Sequence, residues 1–291
     1  MKVVSDEAMA AHVSWRAGGR VAIACFPDNL DDLADFMPRL RRDEPLLMVG
    51  LGSNLLIRDG GFDGAAVFTH GALNTLRLDD DGLIYAEAGV AAPRLARFAA
   101  LHNLVGAEFL AGVPGTIGGA LAMNAGCHGD DIWSCVAEAT MLSRDGELVQ
   151  RPPEDFAIAY RRVGLRCSGD EVFVAARLRF AAGDGASARA RMKALLQKRA
   201  ATQPLRLPNA GSVFRNPAND YAARLIEAAG LKGLVHEGAQ VSEKHANFVV
   251  NPGGGASASA IESLIERIQV EVFEQFGVRL QREVRILGTS N

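Results

Sequence analysis

The chain has 291 residues and a mass of 30.9 kDa, with 48% hydrophobic and 22% charged residues. That composition is ordinary for a globular protein and long enough for about two domains, which excludes disorder and small stapled scaffolds. A net charge of −3 and only 6% aromatic residues give no footprint for nucleic acid, an anionic membrane or a base-stacking surface.

Met1 to Ala10 carries Lys2, Asp6 and Glu7 and no apolar core. It does not read as a signal peptide, so a cytoplasmic protein is expected. Apolar alternation predicts strands near Val21–Phe26, Leu46–Val49, Ala65–Thr69 and Ile84–Ala88. Between the first two, Leu30, Leu33, Ala34, Met37 and Leu40 make one helical face, with Asp28 as its N-cap. Pro93 suits the first turn of a helix carrying Leu95, Phe98 and Ala99. Leu104 to Gly126 is uncharged apart from Glu108, yet its glycines and Pro114 argue against a membrane span. Buried irregular backbone is expected there.

A strand near Val172–Phe180 is followed by Ala181–Ala190, whose small polar residues predict a linker. Beyond it, strands are expected near Asn247–Asn251 and Val284–Leu287. The helix between them carries Ile261, Leu264, Ile265, Ile268, Val272 and Phe276, with a Ser259–Glu262 capping box and Gly277 as its stop. Strands and helices do not alternate regularly, which favours α+β, and no internal repeat is present. The 4 cysteines (Cys25, Cys127, Cys135, Cys167) lack any framework spacing, so reduced thiols are expected. Cys127 beside His128 makes two potential ligands without a second pair, and no metal is expected.

Glycine is the one departure from average, at 31 residues or about a tenth of the chain against roughly 7%. In Val49–Leu56, Gly50 and Gly52 follow a strand, and exposed N–H groups at such a turn form an anion site. Leu55 stands where a dinucleotide fingerprint needs its third glycine, and a tight turn explains the loop equally well. No GxxxxGK[ST] occurs. The stretch Gly112-Val113-Pro114-Gly115-Thr116-Ile117-Gly118-Gly119, followed by Asn124-Ala125-Gly126, has too many glycines for a hairpin and reads as a ligand cradle. Asn251–Gly255 reads as an exposed turn.

Taken in order, these segments resemble the UDP-N-acetylenolpyruvoylglucosamine reductase family. The resemblance runs through Trp15–Gly19, Gly50–Leu56, Gly112–Gly119 and Ala159-Tyr160-Arg161. It continues through Gln203-Pro204, Ala210–Pro217, Ala229–Gly233, Val241–Phe248 and Leu280–Val284. Ser14-Trp15-Arg16, Arg20 and Gln281-Arg282 depart from the usual pattern, and the short C-terminal part matches the shorter of the family's two forms. The resemblance implies an α+β chain: a two-lobed FAD-binding PCMH-type (vanillyl-alcohol-oxidase-like) domain over residues 1–183, then a smaller α+β substrate domain over 184–291. It implies noncovalent FAD, since no histidine lies within Val49–Gly61, and NADPH as reductant. The partner is a small UDP-sugar enolpyruvyl ether, converted in peptidoglycan precursor synthesis.

The resemblance places the flavin against Gly50, Gly52, Ser53, Asn54, Leu55, Gly112, Pro114, Gly115, Thr116, Gly118, Gly119, Asn124, Ala125 and Gly126. Tyr160, Arg215, Asn216, His245 and Asn247 become candidate substrate contacts. Conjugate reduction needs charge stabilisation, a proton and orientation from the protein. Arg161 suits the carboxylate, because a guanidinium stays charged and offers two donors. Glu283 would share a proton with the enol, and Ser212 is the proton donor that the resemblance implies. On residues alone, Arg161 could be a surface ion pair, Glu283 a solvated carboxylate and Ser212 a helix or turn cap. Two other classes share the fold: an FAD oxidase, and a binding module that has lost catalysis.

Overall fold

The computed structural model describes residues 1–127, 129–167 and 169–290. His128, and with it the Cys127–His128 pair, lies outside the described residues. The chain divides into two compact units. The first comprises Met1–Val4, Ala24–Leu51 and Gly64–Arg199; the second comprises Ser5–Ile23, Gly52–Asp63 and Ala200–Asn291. The strands Lys2–Ala8, Arg20–Phe26 and Phe62–Phe68 each run across this division. The chain therefore changes unit inside regular structure at these strands, and in a loop at Leu51/Gly52.

The first unit carries a five-stranded sheet in the order Leu148–Arg151, Val136–Ser143, Glu171–Leu178, Ile84–Glu87, Leu76–Leu78. Its pairs are antiparallel, with Met141 opposite Phe173 and Leu178 opposite Ile84. Leu46–Val49 pairs in parallel with Ala65–Phe68, and Phe26 stacks on Phe68 with ring centroids 4.6 Å apart. Helix α1 (Leu30–Phe36) starts at Asn29, whose side chain accepts the Asp32 N–H at 2.9 Å. Asp28, the expected cap, instead holds the chain's terminal ammonium. Helix α2 (Ala92–Leu101) has Pro93 in its first turn and buries Leu95, Ala96, Ala99 and Ala100. These join Trp133, Phe156 and the sheet's inner face in one core.

The stretch expected to be irregular contains helix α3 (Ile117–Met123). A Cβ at Gly118 would lie 2.8 Å from the Ala88 Cβ, so packing requires the glycine that makes the helix illegible in sequence. The expected linker is also ordered. Ala181–Ala182 pairs with Leu104–Val105, and helix α4 spans Gly185–Thr202. Asp184 accepts the N–H groups of Ala186 and Ser187, which caps α4. Ala188 and Met192 then enter the first core, so the break in contacts falls at Arg199/Ala200 and not at 183/184.

The second unit is organised by helix α6 (Ala258–Phe276), which buries Ile261, Leu264, Ile265, Ile268 and Val272. Its N-cap is Ser257, whose hydroxyl accepts the Ala260 N–H at 3.0 Å. The expected Ser259–Glu262 box is absent because the Asp59 carboxylate takes the N–H groups of Ala258 and Ser259. Gly277 stops the helix at φ 69°. Helix α5 (Ala222–Ala228) and the strands Val235–His236, Ala239–Val241 and Val249–Val250 pack around α6. Trp15 is fully buried, donating to the Val249 carbonyl at 2.7 Å, and Asn251 donates to the Trp15 carbonyl at 3.0 Å. Among the described residues, no helix is long and apolar enough to cross a membrane.

The cysteines are all free thiols. Cys25 is fully buried, and burial pushes its thiol up to about 11. Cys167 is exposed. In native protein a maleimide should label Cys167 first, with Cys25 slower by at least roughly 100-fold because the thiolate is the nucleophile. Time-resolved mass spectrometry of the labelled peptides checks this; comparable rates in folded protein would contradict the burial.

Candidate active site

In the first unit the strands Phe156–Ala159 and Arg162–Leu165 form a hairpin with Ala159 opposite Arg162. Only Tyr160 and Arg161 remain for its tip. Arg161 sits there at φ 55°, in the left-handed region that a two-residue turn normally fills with glycine or asparagine. A strained arginine at a tip needs compensation from its side chain. The guanidinium supplies it, donating to the Asn124 carbonyl at 3.2 Å and the Gly126 carbonyl at 2.9 Å. Asn124, itself at φ 41° at the end of α3, donates back to the Ala159 carbonyl at 3.3 Å. Tyr160 is exposed beside the guanidinium. Hairpin tip and post-helix turn thus lock each other.

The glycines here are largely closed by the protein's own atoms. A Cβ at Gly50 would meet the Thr116 Oγ1 at 2.3 Å, and one at Gly126 the Asp130 carbonyl oxygen at 2.1 Å. Gly119, by contrast, is exposed, with only the Thr116 hydroxyl near its open side at 3.8 Å. Pro114 is exposed, and Gly112, Gly115 and Ala125 are half-buried. Sequence reasoning missed Arg199, at the end of this unit. Burial lowers its pKa, and with Arg161 it opposes the burial that raises the Cys127 thiol. Its signal was faint: one of five cations (Arg189, Arg191, Lys193, Lys198, Arg199) in a segment that reads as solvated.

In the second unit the expected residues converge on Val213. The Glu283 N–H donates to the Val213 carbonyl at 2.8 Å, and the Val213 N–H donates to the Asn247 carbonyl at 2.9 Å. Ser212 and Glu283 therefore sit on adjacent extended segments, with Phe214 paired opposite Arg282. Ser212 lies outside any helix, and α5 begins only at Ala222, which removes the helix-cap reading. Arg215 donates its N–H to the Gln281 carbonyl at 2.9 Å. Gly52 has a φ of 58°, and a Cβ there would lie 2.0 Å from the His12 carbonyl oxygen. Ser53 follows, half-buried, and Leu55 pairs with Arg285.

Three expected ligand contacts have structural partners here. The Asn54 amide donates to the Glu283 carbonyl at 3.2 Å. Asn247 is buried, with its oxygen accepting the Phe214 N–H at 3.0 Å and its nitrogen donating to the Phe214 carbonyl at 2.8 Å. Asn216 accepts the Ala222 N–H at 3.1 Å, anchoring α5. His245 differs. Its Nδ1 is buried without a hydrogen-bond partner among the described residues, and its ring meets Phe248 edge-on at 4.9 Å. A separate cavity of ≈ 590 Å³ is lined by Gln203, Pro204, Arg206, Gln240, Ser242 and Lys244, among others.

Burial lowers the His245 pKa from its ordinary 6.5, with Lys232 acting in the same direction and Glu227 opposing. The unfolded chain therefore takes a proton at His245 before the folded one does. Stability from this group is complete above pH 6.5 and falls as the pH drops toward the lowered folded value. His245→Gln should flatten that part of the profile. Urea titrations at neutral and mildly acidic pH test it; identical slopes in both proteins would show that the ring is not desolvated.

Residues 203–287 match the family model described as "UDP-N-acetylenolpyruvoylglucosamine reductase, C-terminal domain", and residues 21–151 match an FAD binding domain. The UDP-N-acetylenolpyruvoylglucosamine reductase of Thiobacillus denitrificans is 51% identical over 296 residues, covering 97% of this chain and 91% of that protein. The chain belongs to this reductase family. The Legionella pneumophila (strain Corby) reductase is 52% identical over 287 residues, covering 98% and 92%. The crystal structure of the reductase from Thermus caldophilus superposes with a TM-score of 0.83 at 28% identity, covering 98% of both chains. The protein is accordingly an FAD-binding oxidoreductase with the expected two-part fold.

Thr116 tests whether the first unit's residues fit such a cofactor. Its hydroxyl is buried without a hydrogen-bond partner among the described residues, a costly state unless a bound group completes it. Beside it lie the exposed Gly119 backbone and Gly50, which leaves no side chain in the way. These residues fit a flavin nucleotide.

Proposed function

We propose that the chain reduces UDP-N-acetylenolpyruvoylglucosamine to UDP-N-acetylmuramate in the cytoplasm, for peptidoglycan precursor synthesis. NADPH is the reductant and FAD is held noncovalently. The observation that carries the reading is the Glu283 N–H to Val213 carbonyl bond at 2.8 Å, which sets a carboxylate and the Ser212 hydroxyl on neighbouring segments. The near full-length likeness to reductases of this name supports the substrate.

In this reading Gly50, Gly112, Pro114, Gly115, Thr116, Gly118, Gly119, Asn124, Ala125 and Gly126 hold the flavin, with Gly52, Ser53, Asn54 and Leu55 completing the loop. Once reduced by NADPH, the bound flavin would supply the hydride. When hydride reaches the terminal carbon of the enolpyruvyl group, negative charge builds on the substrate carboxylate as an enediolate. Arg161 stabilises that charge with a group that cannot deprotonate. Glu283, half-buried, shares a proton with the enol oxygen. Ser212 gives its proton to the adjacent carbon, a transfer that a weakly acidic hydroxyl makes only to a strongly basic acceptor. Tyr160, Arg215 and His245 contact the UDP-sugar. Asn216 and Asn247 act through the backbone they hold. Residues 1–183 form the flavin part and residues 184–291 the substrate part.

The test is anaerobic. NADPH should bleach the bound flavin, and adding the enolpyruvyl sugar should restore its colour in stoichiometric amount. A reduced flavin that persists with that substrate would refute the reading; reoxidation by dioxygen alone would favour an oxidase. Acid precipitation should release free yellow FAD. Among the sequence motifs none serves the pyridine nucleotide alone, so the two substrates use one cleft in turn. Parallel initial-rate lines are expected, and intersecting lines with a stable ternary complex would oppose this.

A further inference from the structure

Glu283 follows Arg282, and Arg282 is held by a run of side chains on α6. Its Nη1 donates to Glu262 at 3.0 Å, its Nη2 to Glu266 at 3.0 Å and its Nε to the Gln269 side-chain oxygen at 3.1 Å. Positions 262, 266 and 269 are four and three residues apart, one stripe of the helix. Gln269 also donates to the Leu280 carbonyl at 2.7 Å. Glu262 accepts two further bonds from Arg58, at 2.8 and 2.9 Å, and Arg58 reaches the Gly288 carbonyl at 2.9 Å. Arg58 and Arg282 together hold the Glu262 carboxyl below the usual carboxylate range, Arg58 contributing more.

This network grips the segment 280–288 at Leu280, Arg282 and Gly288. Successive side chains of an extended segment alternate in direction. A guanidinium fixed at three points therefore sets the rotation of the segment about its axis, and with it the direction of the carboxylate one residue on. The other side of the segment is held by the Val213 carbonyl and Asn54. We infer that Arg282, clamped by Glu262, Glu266 and Gln269, is a positioning residue that aims Glu283 in the enol-protonation step. This inference rests on the role proposed for Glu283.

Arg282→Met keeps the aliphatic stem and leaves Glu262 paired with Arg58, so folding should survive. Flavin content and reduction by NADPH should match the wild type, and the Michaelis constant for the enolpyruvyl sugar should change little. Reoxidation should slow roughly 10- to 100-fold, as for a mispositioned group. Arg282→Lys should recover part of that loss. In a Glu283→Gln background, Arg282→Met should add almost nothing, because the group it aims is already gone. A structural role alone would multiply the two losses. Wild-type reoxidation in Arg282→Met, or multiplicative losses, would overturn the inference while leaving Glu283 in place. Wild-type reoxidation in Glu283→Gln itself would overturn the role of Glu283, and the inference with it.

Discussion

Ser212→Ala should leave the fold, the flavin spectrum and reduction by NADPH nearly unchanged, while reoxidation by the enolpyruvyl sugar slows at least roughly 10²–10⁴-fold. The expectation follows from where Ser212 stands. It precedes Val213, whose carbonyl accepts the Glu283 N–H and whose N–H donates to the Asn247 carbonyl. Backbone on two sides holds it, so removing one oxygen should not disturb the segment. A turn-stabilising role predicts the opposite pattern: a stability loss of about 1 kcal/mol with both half-reactions intact. Stopped-flow traces of each half-reaction beside a melting curve separate the two. Near-normal reoxidation in a folded variant would move the proton donor elsewhere.

Arg161→Gly should be a larger disturbance to chemistry than to folding. Glycine adopts the φ of 55° at this hairpin tip without strain, a relief of about 1–3 kcal/mol. Against that stand two lost hydrogen bonds, from the guanidinium to the Asn124 and Gly126 carbonyls, each worth about 1.5–3 kcal/mol for a charged donor. The melting temperature should therefore shift modestly. Enol reduction should fall roughly 10²–10³-fold, the scale for losing a preorganised electrostatic stabiliser. Flavin should also dissociate more readily, because the Asn124–Gly126 turn loses its brace. Equilibrium dialysis of FAD and single-turnover reoxidation provide the two readouts. A variant that turns over at the wild-type rate would assign Arg161 to the scaffold alone.

The sequence by itself determined much of the elementary structure. The strand Leu46–Val49 matches its expected bounds, and the apolar stripe from Ile261 to Val272 is buried on α6. Such patterns are local, and burial of one face follows from periodicity. The family was also legible, because its motifs keep their order through the chain. Caps were not. Asn29 displaced Asp28, and Ser257 with Asp59 displaced Ser259 and Glu262. A helix end takes whichever acceptor the fold brings to it, including one about two hundred positions away.

The glycines divide along the same line. Their clustering marked the loops, but only coordinates separate Gly50 and Gly126, closed by the protein's own atoms, from Gly119, left open. Asn54, Asn216 and Asn247 read in sequence as ligand contacts, and tertiary structure binds each to backbone. The strain at Arg161 and the clamp on Arg282 have no local signature. Both depend on residues distant in sequence: Asn124 and Gly126 for the one, Glu262, Glu266 and Gln269 for the other. Periodicity reports which face of an element is buried. What a polar side chain holds is decided by the partners that folding brings within reach of it.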